Sequence, residues 1–305
     1  MIPILTPEQM AAVDAAAPEP VEELIARAGR AVAREAMSML GGSYGRVVNV
    51  IAGRGNNGAD GRTAADIIAR RGVKVRVIDA AMCPPILPAC DLVIDAAYGT
   101  GFRGEWLAPQ VVSTSSEPVM VLAVDIPSGV DASTGAAGDG VLRADRTVTF
   151  QALKPGLVFS HGRSSSGEVI VADIGLDVTG ADRYLVEASD VAAWWPERVA
   201  DAHKWNGAVR IVAGSPGMPG AARLCAAAAA RSGAGLVALS SPGGAPWARD
   251  GVIQRPVPAA GFAADVRDDL ARVDALGMGP RRRRAGGAGG GVRRVIAAAA
   301  GPKVI

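Results

Sequence analysis

At 305 residues the chain is long for one domain and suits two, and with 49% apolar residues it can bury a large core. A net charge of +2, 32 basic against 30 acidic residues, argues against a nucleic-acid surface. Three scattered cysteines and two histidines offer no zinc spacing, and no run is apolar and long enough to span a membrane. The start, with no basic segment ahead of an apolar one, has no signal-peptide pattern, so a soluble cytoplasmic protein is expected.

Residues 6–39 read as helical. Thr6, Pro7 and Glu8 provide an N-cap, a proline at the first helical position and an acidic first turn. Pro18 and Pro20 interrupt, and apolar helical spacing resumes at Val21. Four short runs follow, at 46–53, 73–78, 91–96 and 119–124, most of them rich in Val and Ile and lacking polar alternation. Such runs fit strands buried on both faces of a parallel sheet. A helix predicted over 61–71 links the first two, as in a doubly wound α/β fold, and runs at 146–150 and 168–174 extend the sheet.

A second α/β unit is predicted from His203, with a strand at 208–213, a Gly/Pro loop at 214–220, an alanine-rich helix at 221–232 and a strand at 236–240. The expected boundaries are 1–181 for the first domain, 182–202 for a linker and 203–305 for the second. Arg281–Arg284, followed by a Gly/Ala run, reads as a low-complexity surface loop, with a nucleic-acid arm as the lesser alternative.

Three polar loops follow strands. Gly53-Arg54-Gly55-Asn56-Asn57-Gly58-Ala59-Asp60-Gly61 contains the literal G-x-G-x-x-G fingerprint, and Asp79 lies 21 residues past Gly58, the spacing of a dinucleotide site. A carboxylate at Asp60 would oppose a pyrophosphate on the helix N-terminus. Asn56 and Asn57 offer carbonyl and amide groups that suit a cation or hydroxyl groups. The second loop is Asp95-Ala96-Ala97-Tyr98-Gly99-Thr100-Gly101, and the third runs from Asp125 through Ser128 to Asp131. In a parallel sheet all three share the carboxyl edge, where Asn57, Asp95, Asp125 and Ser128 can converge on a hard, all-oxygen site. Taken singly, each aspartate could equally be a helix cap.

The segments GRGNNGADG, DAAYGTGFRG, AVDIPSGVDASTG and TFQALKPGL, in this order and spacing over residues 1–180, resemble the NAD(P)H-hydrate epimerase family. The resemblance implies a Rossmann-like three-layer α/β sandwich, a homodimer, a hydrated NADH or NADPH substrate and one potassium ion. It implies that Asn57, Asp95 and Ser128 hold the ion. The substrate would meet Asn56, Asn57, Gly58, Ala59 and Asp60 in the first loop. In the second it would meet Gly99, Thr100, Gly101, Phe102, Arg103, Gly104 and Glu105. Asp125 would contact substrate and is the candidate catalytic acid/base. Ala59 stands where the family usually has glycine, and Gln151-Ala152-Leu153 where small residues are usual.

His203-Lys204-Trp205-Asn206-Gly207 and the glycine-rich segment after it resemble the opening of the ADP-dependent NAD(P)H-hydrate dehydratase family, whose members have a ribokinase-like fold. Gly277-Met278-Gly279-Pro280 enters that family's Gly-Pro-Gly loop, and the chain ends before its aspartate. The expectation is an incomplete, poorly packed ribokinase-like domain without dehydratase activity; ADP would be a cofactor only of an intact one. Two rival readings are an NAD-dependent dehydrogenase, favoured by the fingerprint and Asp79, and a non-catalytic binding module on the same fold.

Overall fold

The computed structural model describes residues 1–104, 106–138, 140–197, 200–244, 251–279, 288–299 and 303–304. The chain divides into two compact units, Met1–Trp195 and Pro196–Ile305.

The first unit opens with β1 (Ile2–Pro3), α1 (Pro7–Ala16) and α2 (Val21–Leu40). A capping box starts α1: Thr6 Oγ1 accepts from Gln9 N, and Gln9 Oε1 accepts from Thr6 N. Pro20 sets the entry to α2, and Gly41, at φ 65°, closes it in the left-handed conformation. Then come β2 (Val47–Ala52), α3 (Asn56–Arg70), β3 (Lys74–Asp79), β4 (Leu92–Ala96), β5 (Met120–Val124) and β6 (Arg146–Phe150). Two short helices, α4 (Pro155–Val158) and α5 (Ser160–Ser165), lead to β7 (Glu168–Ala172).

Six strands form one parallel sheet in the order β3-β2-β4-β5-β6-β7. The chain starts inside this sheet and winds outward both ways, so the switch point lies between β2 and β4. Val48, Val50, Leu92, Ile94, Leu122 and Val124 turn one face toward α2 and α3 in the main core. Each such side chain contributes roughly 1.5–3 kcal/mol by leaving water. The opposite face packs Ile51, Val93, Val121 and Ala123 against Leu87, Cys90 and Ala144, which belong to connecting segments. Leu153 and Leu157 cover it near β7. The second helical layer of the sandwich is thus thin, and much of it is ordered loop.

Two expectations are corrected here. The helix predicted from Gly61 begins five residues earlier, at Asn56, with Gly55 as its N-cap. No Ser, Thr, Asp or Asn caps it, and a glycine-rich first turn reads as a loop. Residues 182–195, expected as linker, are structured: β8 (Tyr184–Leu185) pairs antiparallel with β1, and α6 (Ala188–Trp194) follows.

The second unit has β9 (Ala208–Val212), α7 (Gly220–Arg231), β10 (Leu236–Ser240), β11 (Val252–Gln254), α8 (Ala263–Leu270), β12 (Ala275–Met278), α9 (Ala288–Ala298) and β13 (Lys303–Val304). Its strands form a parallel sheet in the order β11-β10-β9-β12-β13. Ile211, Val237 and Leu239 are buried on α7, while Val212, Phe262, Val266 and Val295 are buried with α8 and α9. The described residues of this unit therefore pack around buried cores, against the expectation of poor packing. The Arg281–Arg284 run lies outside the described residues. Among the described residues no helix is long and apolar enough to cross a membrane.

Candidate active site

A cavity of about 660 Å³ opens at the carboxyl edge of the first unit's sheet, over the switch point. Its floor is the loop after β2 and the first turn of α3, including Gly53, Asn56, Asn57 and Asp60. Tyr98–Phe102 after β4, Asp125 after β5 and Lys154 before α4 close further sides. Met10 and Asp14 of α1 and Leu24, Ile25 and Ala28 of α2 form an apolar wall with one carboxyl group in it. The glycines permit the close approach: a Cβ at Gly53 would run into the Ala97 carbonyl, and one at Gly58 into the Gly53 carbonyl.

Asp125 sits at φ 65°, in the left-handed region. Ile126 N donates to Val124 O across it at 2.8 Å, a tight three-residue turn that costs a non-glycine residue about 1–3 kcal/mol. The turn lifts the carboxylate off the strand and into the cavity. Its Oδ1 accepts from Lys154 Nζ at 2.6 Å and from Thr149 Oγ1 at 3.1 Å. Lys154 also donates to Thr149 Oγ1 and the Phe150 carbonyl, and its residue is 1% exposed. Asp125 Oδ2 makes no such bond and lies 3.5 Å from where a Gly99 Cβ would stand; Asn57 Cβ is 3.2 Å from the same point. Asn57 and Asp125 therefore flank Gly99, with one carboxylate oxygen left for a ligand.

Asn57 Oδ1 and Nδ2 are buried and make no hydrogen bond among the described residues. An orphaned amide in a cavity wall awaits a ligand. Asp95 and Ser128, both fully buried, bind each other: Ser128 Oγ donates to Asp95 Oδ1 at 2.6 Å and Ser128 N to Oδ2 at 2.9 Å. Ser128 Oγ accepts from Tyr98 N, pinning the aromatic turn. Burial pushes the Asp95 carboxyl above its ordinary range, against the hydrogen bonds from Ser128 and Ala97. No cationic side chain pairs with it among the described residues. The buried carboxylate, the hydroxyl and the orphaned amide oxygen are all hard oxygen donors, the kind that suits an alkali or alkaline-earth cation. Among the described residues no group of three or more His, Cys, Asp or Glu could hold a metal.

Asp60, near the start of α3, is 6% exposed and has no hydrogen-bond or ion-pair partner among the described residues. Burial, reinforced by the charges of Asp125 and Asp14 and opposed by Lys154, pushes its pKa up to about 8. A pKa in that range favours the neutral acid at pH 7. Burial also raises Asp14, with Asp125 adding to the effect and Lys154 opposing it.

Of the residues expected to meet substrate, Asn56, Asn57, Asp60, Gly99, Thr100, Gly101, Phe102 and Asp125 line the cavity. Gly58 and Ala59 sit inside α3 and do not line this cavity, so the Ala59 methyl is accommodated in a helix. Arg103 and Gly104 are exposed away from it, the Arg103 guanidinium folding back onto the Thr100 and Phe102 carbonyls. Glu105 lies outside the described residues. Asp95 and Ser128 do not line the cavity but support its Tyr98 wall. Asp79 reaches the rim, where its Oδ1 caps Ala81 N.

Sequence reasoning missed Lys154, Asp14 and Tyr98. Lys154 stood inside a quoted motif, but its partner lies 29 residues away and only the β5–β6 pairing joins them. Tyr98 packs against Phe102 at a centroid distance of 4.6 Å with the ring planes tilted by 41°, and edge-on against Trp106 at 5.2 Å, an aromatic wall beside the polar floor.

The sequence pattern of the family described as YjeF-related protein N-terminus matches residues 21–89 and 78–156. A bifunctional NAD(P)H-hydrate repair enzyme, Nnr, of Mycobacterium tuberculosis H37Rv is 34% identical over 278 residues, 82% of this chain and 55% of that protein. The Nnr of Mycobacterium leprae is 35% identical over 68% of this chain and 47% of its own length. That of Escherichia coli K12 is 33% identical over 62% and 43%. The chain spans about half the length of the curated relatives it matches. The cavity's floor, its Tyr98 wall, Asp125 and Lys154 all fall within residues 21–156, the part of the chain that matches the pattern of the YjeF-related protein N-terminus family.

Proposed function

We propose that the first unit is an NAD(P)H-hydrate epimerase, interconverting the R and S forms of hydrated NADH and NADPH at C6 of the nicotinamide ring. One observation carries this reading: a lysine-anchored Asp125 with a free oxygen, set opposite an unpartnered Asn57 across Gly99, inside a cavity with an aromatic wall. C6 of the hydrated ring bears a hydroxyl next to the ring nitrogen, so the centre inverts by loss and return of that hydroxyl or by ring opening. Either route moves a proton near C6, and Asp125 Oδ2 is the atom that takes or returns it. Lys154 and Thr149 fix that carboxylate through its other oxygen. Tyr98 and Phe102 supply a surface for the ring, and Asn57 binds oxygen functions.

The reading includes one potassium ion per epimerase domain, held by Asn57, Asp95 and Ser128. When bound it balances the buried Asp95 charge and polarises nearby oxygen. It also includes a homodimer, which light scattering on the purified protein would detect. For residues 203–305 the resemblance to the ADP-dependent dehydratase stands as a proposal of kinship, with no activity assigned to this unit. The experiment is to incubate the protein with one isolated epimer of hydrated NADPH in potassium buffer and resolve both epimers chromatographically. Faster appearance of the second epimer than without protein is expected; no acceleration by a folded sample rejects the reading.

A further inference from the structure

The cavity holds a second carboxyl group that the proposed reaction has not yet used. Asp60 is 6% exposed, lines the cavity, and among the described residues its side chain has no hydrogen-bond partner. It shares the space with Asp125 from the β5 loop, Asp14 from α1 and Lys154 from the segment before α4, the charged groups whose fields reach it. The α2 wall contributes the uncharged Val21, Leu24, Ile25 and Ala28 there. The lone ammonium already binds Asp125 Oδ1, Thr149 and a carbonyl, so it has no bond left for Asp60. A carboxyl group in that position is cheapest as the neutral acid, facing the ligand space with its proton.

We propose that Asp60 is the general acid of this site, giving its proton to the C6 hydroxyl of the hydrated nicotinamide ring as that oxygen departs. The proposal rests on the epimerase reading. The Asp60 proton passes to the hydroxyl oxygen, the C6–O bond breaks with its electron pair leaving on water, and the ring-nitrogen lone pair forms a C6–N double bond. Water then adds to the other face of C6 as Asp125 Oδ2 takes its surplus proton, the electron pair goes back to nitrogen, and that proton passes through water to reload Asp60. No oxidant or reductant is consumed. The pKa of about 8 keeps the acid loaded at neutral pH and near the best value for a proton donor there. Asp125, locked to Lys154, and Asp60, locked to nothing, are two carboxyl groups given different work by their surroundings.

Asp60→Asn preserves size and hydrogen bonding but has no proton to transfer. In potassium buffer at pH 7 it is expected to lose about 10²–10⁴-fold in kcat while KM stays within about threefold. Wild-type kcat should fall on an alkaline limb near pH 8 that the variant lacks, and Asp60→Glu should restore part of the rate. Infrared difference spectra without substrate give an independent reading. A protonated-carboxyl band should persist at pH 7, vanish as pH rises through about 8, and be missing from Asp60→Asn. Wild-type kcat in Asp60→Asn with the alkaline limb intact overturns the role. So does wild-type turnover without the band. A folded wild type that shows the band but no turnover instead rejects the epimerase reading, and the proton-transfer step with it.

Discussion

Asp125 pays in backbone strain for its position, and the ion pair with Lys154 is what holds it there. Lys154→Met would leave the carboxylate in the cavity wall without a counter-charge. The expected cost is about 3 kcal/mol in urea unfolding and a loss of most turnover. Adding Asp125→Asn to that variant should recover part of the stability but none of the activity; a fully additive loss would show that the two groups do not interact. Asp60 makes the opposite prediction for stability. Its folded pKa of about 8 lies above the ordinary aspartate value of 3.8. Between those values the folded state holds one more proton than the unfolded chain, so stability falls as pH rises through this window and levels off above about 8. Asp60→Asn should therefore melt higher than wild type at pH 7, by on the order of a few kcal/mol, with the gain vanishing below about pH 4. A pH-independent difference would mean that Asp60 is not shifted.

At the scale of elements, the ends of two neighbouring strands set the site. β5 and β6 both finish in a three-residue turn: Ile126 N donates to Val124 O across Asp125, and Ala152 N to Phe150 O across Gln151 at φ 60°. Gln151, noted in the sequence only as a departure from a small-residue run, uses this geometry. Its Oε1 accepts from the backbone N–H groups of Ile174, Gly175 and Leu176, tying the chain after β7 to the cavity, where Ile174 is a wall residue. Gln151→Ala loses that acceptor and keeps the strain, for an expected cost of about 1–3 kcal/mol. Gln151→Gly loses the acceptor but relieves the φ, so it should be the milder variant by about 1 kcal/mol; equal costs would remove the strain argument. The strands were legible because they are Val/Ile-rich runs with no competing pattern, and their sheet followed from crossover spacing. The start of α3 was not, because Gly55 and Gly58 disguise a helical turn as a loop, and neither positive-φ turn leaves a mark in composition.

For the whole molecule, the sequence conveyed two α/β units and the edge on which three loops meet, since parallel topology alone brings Asn57, Asp95, Asp125 and Ser128 to one end. It did not convey that β8 pairs with β1, a two-residue match between chain segments more than 180 positions apart, or that Asp95 and Ser128 act behind the cavity wall. The potassium proposal has a reading at this scale. A cation that binds only the folded protein raises its melting temperature with concentration. Wild type should melt higher in potassium than in N-methylglucamine chloride of equal ionic strength, and Asn57→Ala should lose most of that difference. An identical potassium response in both proteins would remove Asn57 from the ion site. The central claim is that this cavity inverts C6 of a hydrated nicotinamide ring through Asp125. Its most direct test follows one isolated epimer of hydrated NADPH by chromatography with wild type and with Asp125→Asn, both shown to be folded. The account predicts rapid approach to the epimer mixture with wild type and a rate at least about 100-fold lower with the variant. Equal rates in the two proteins, or no acceleration by either, would contradict it.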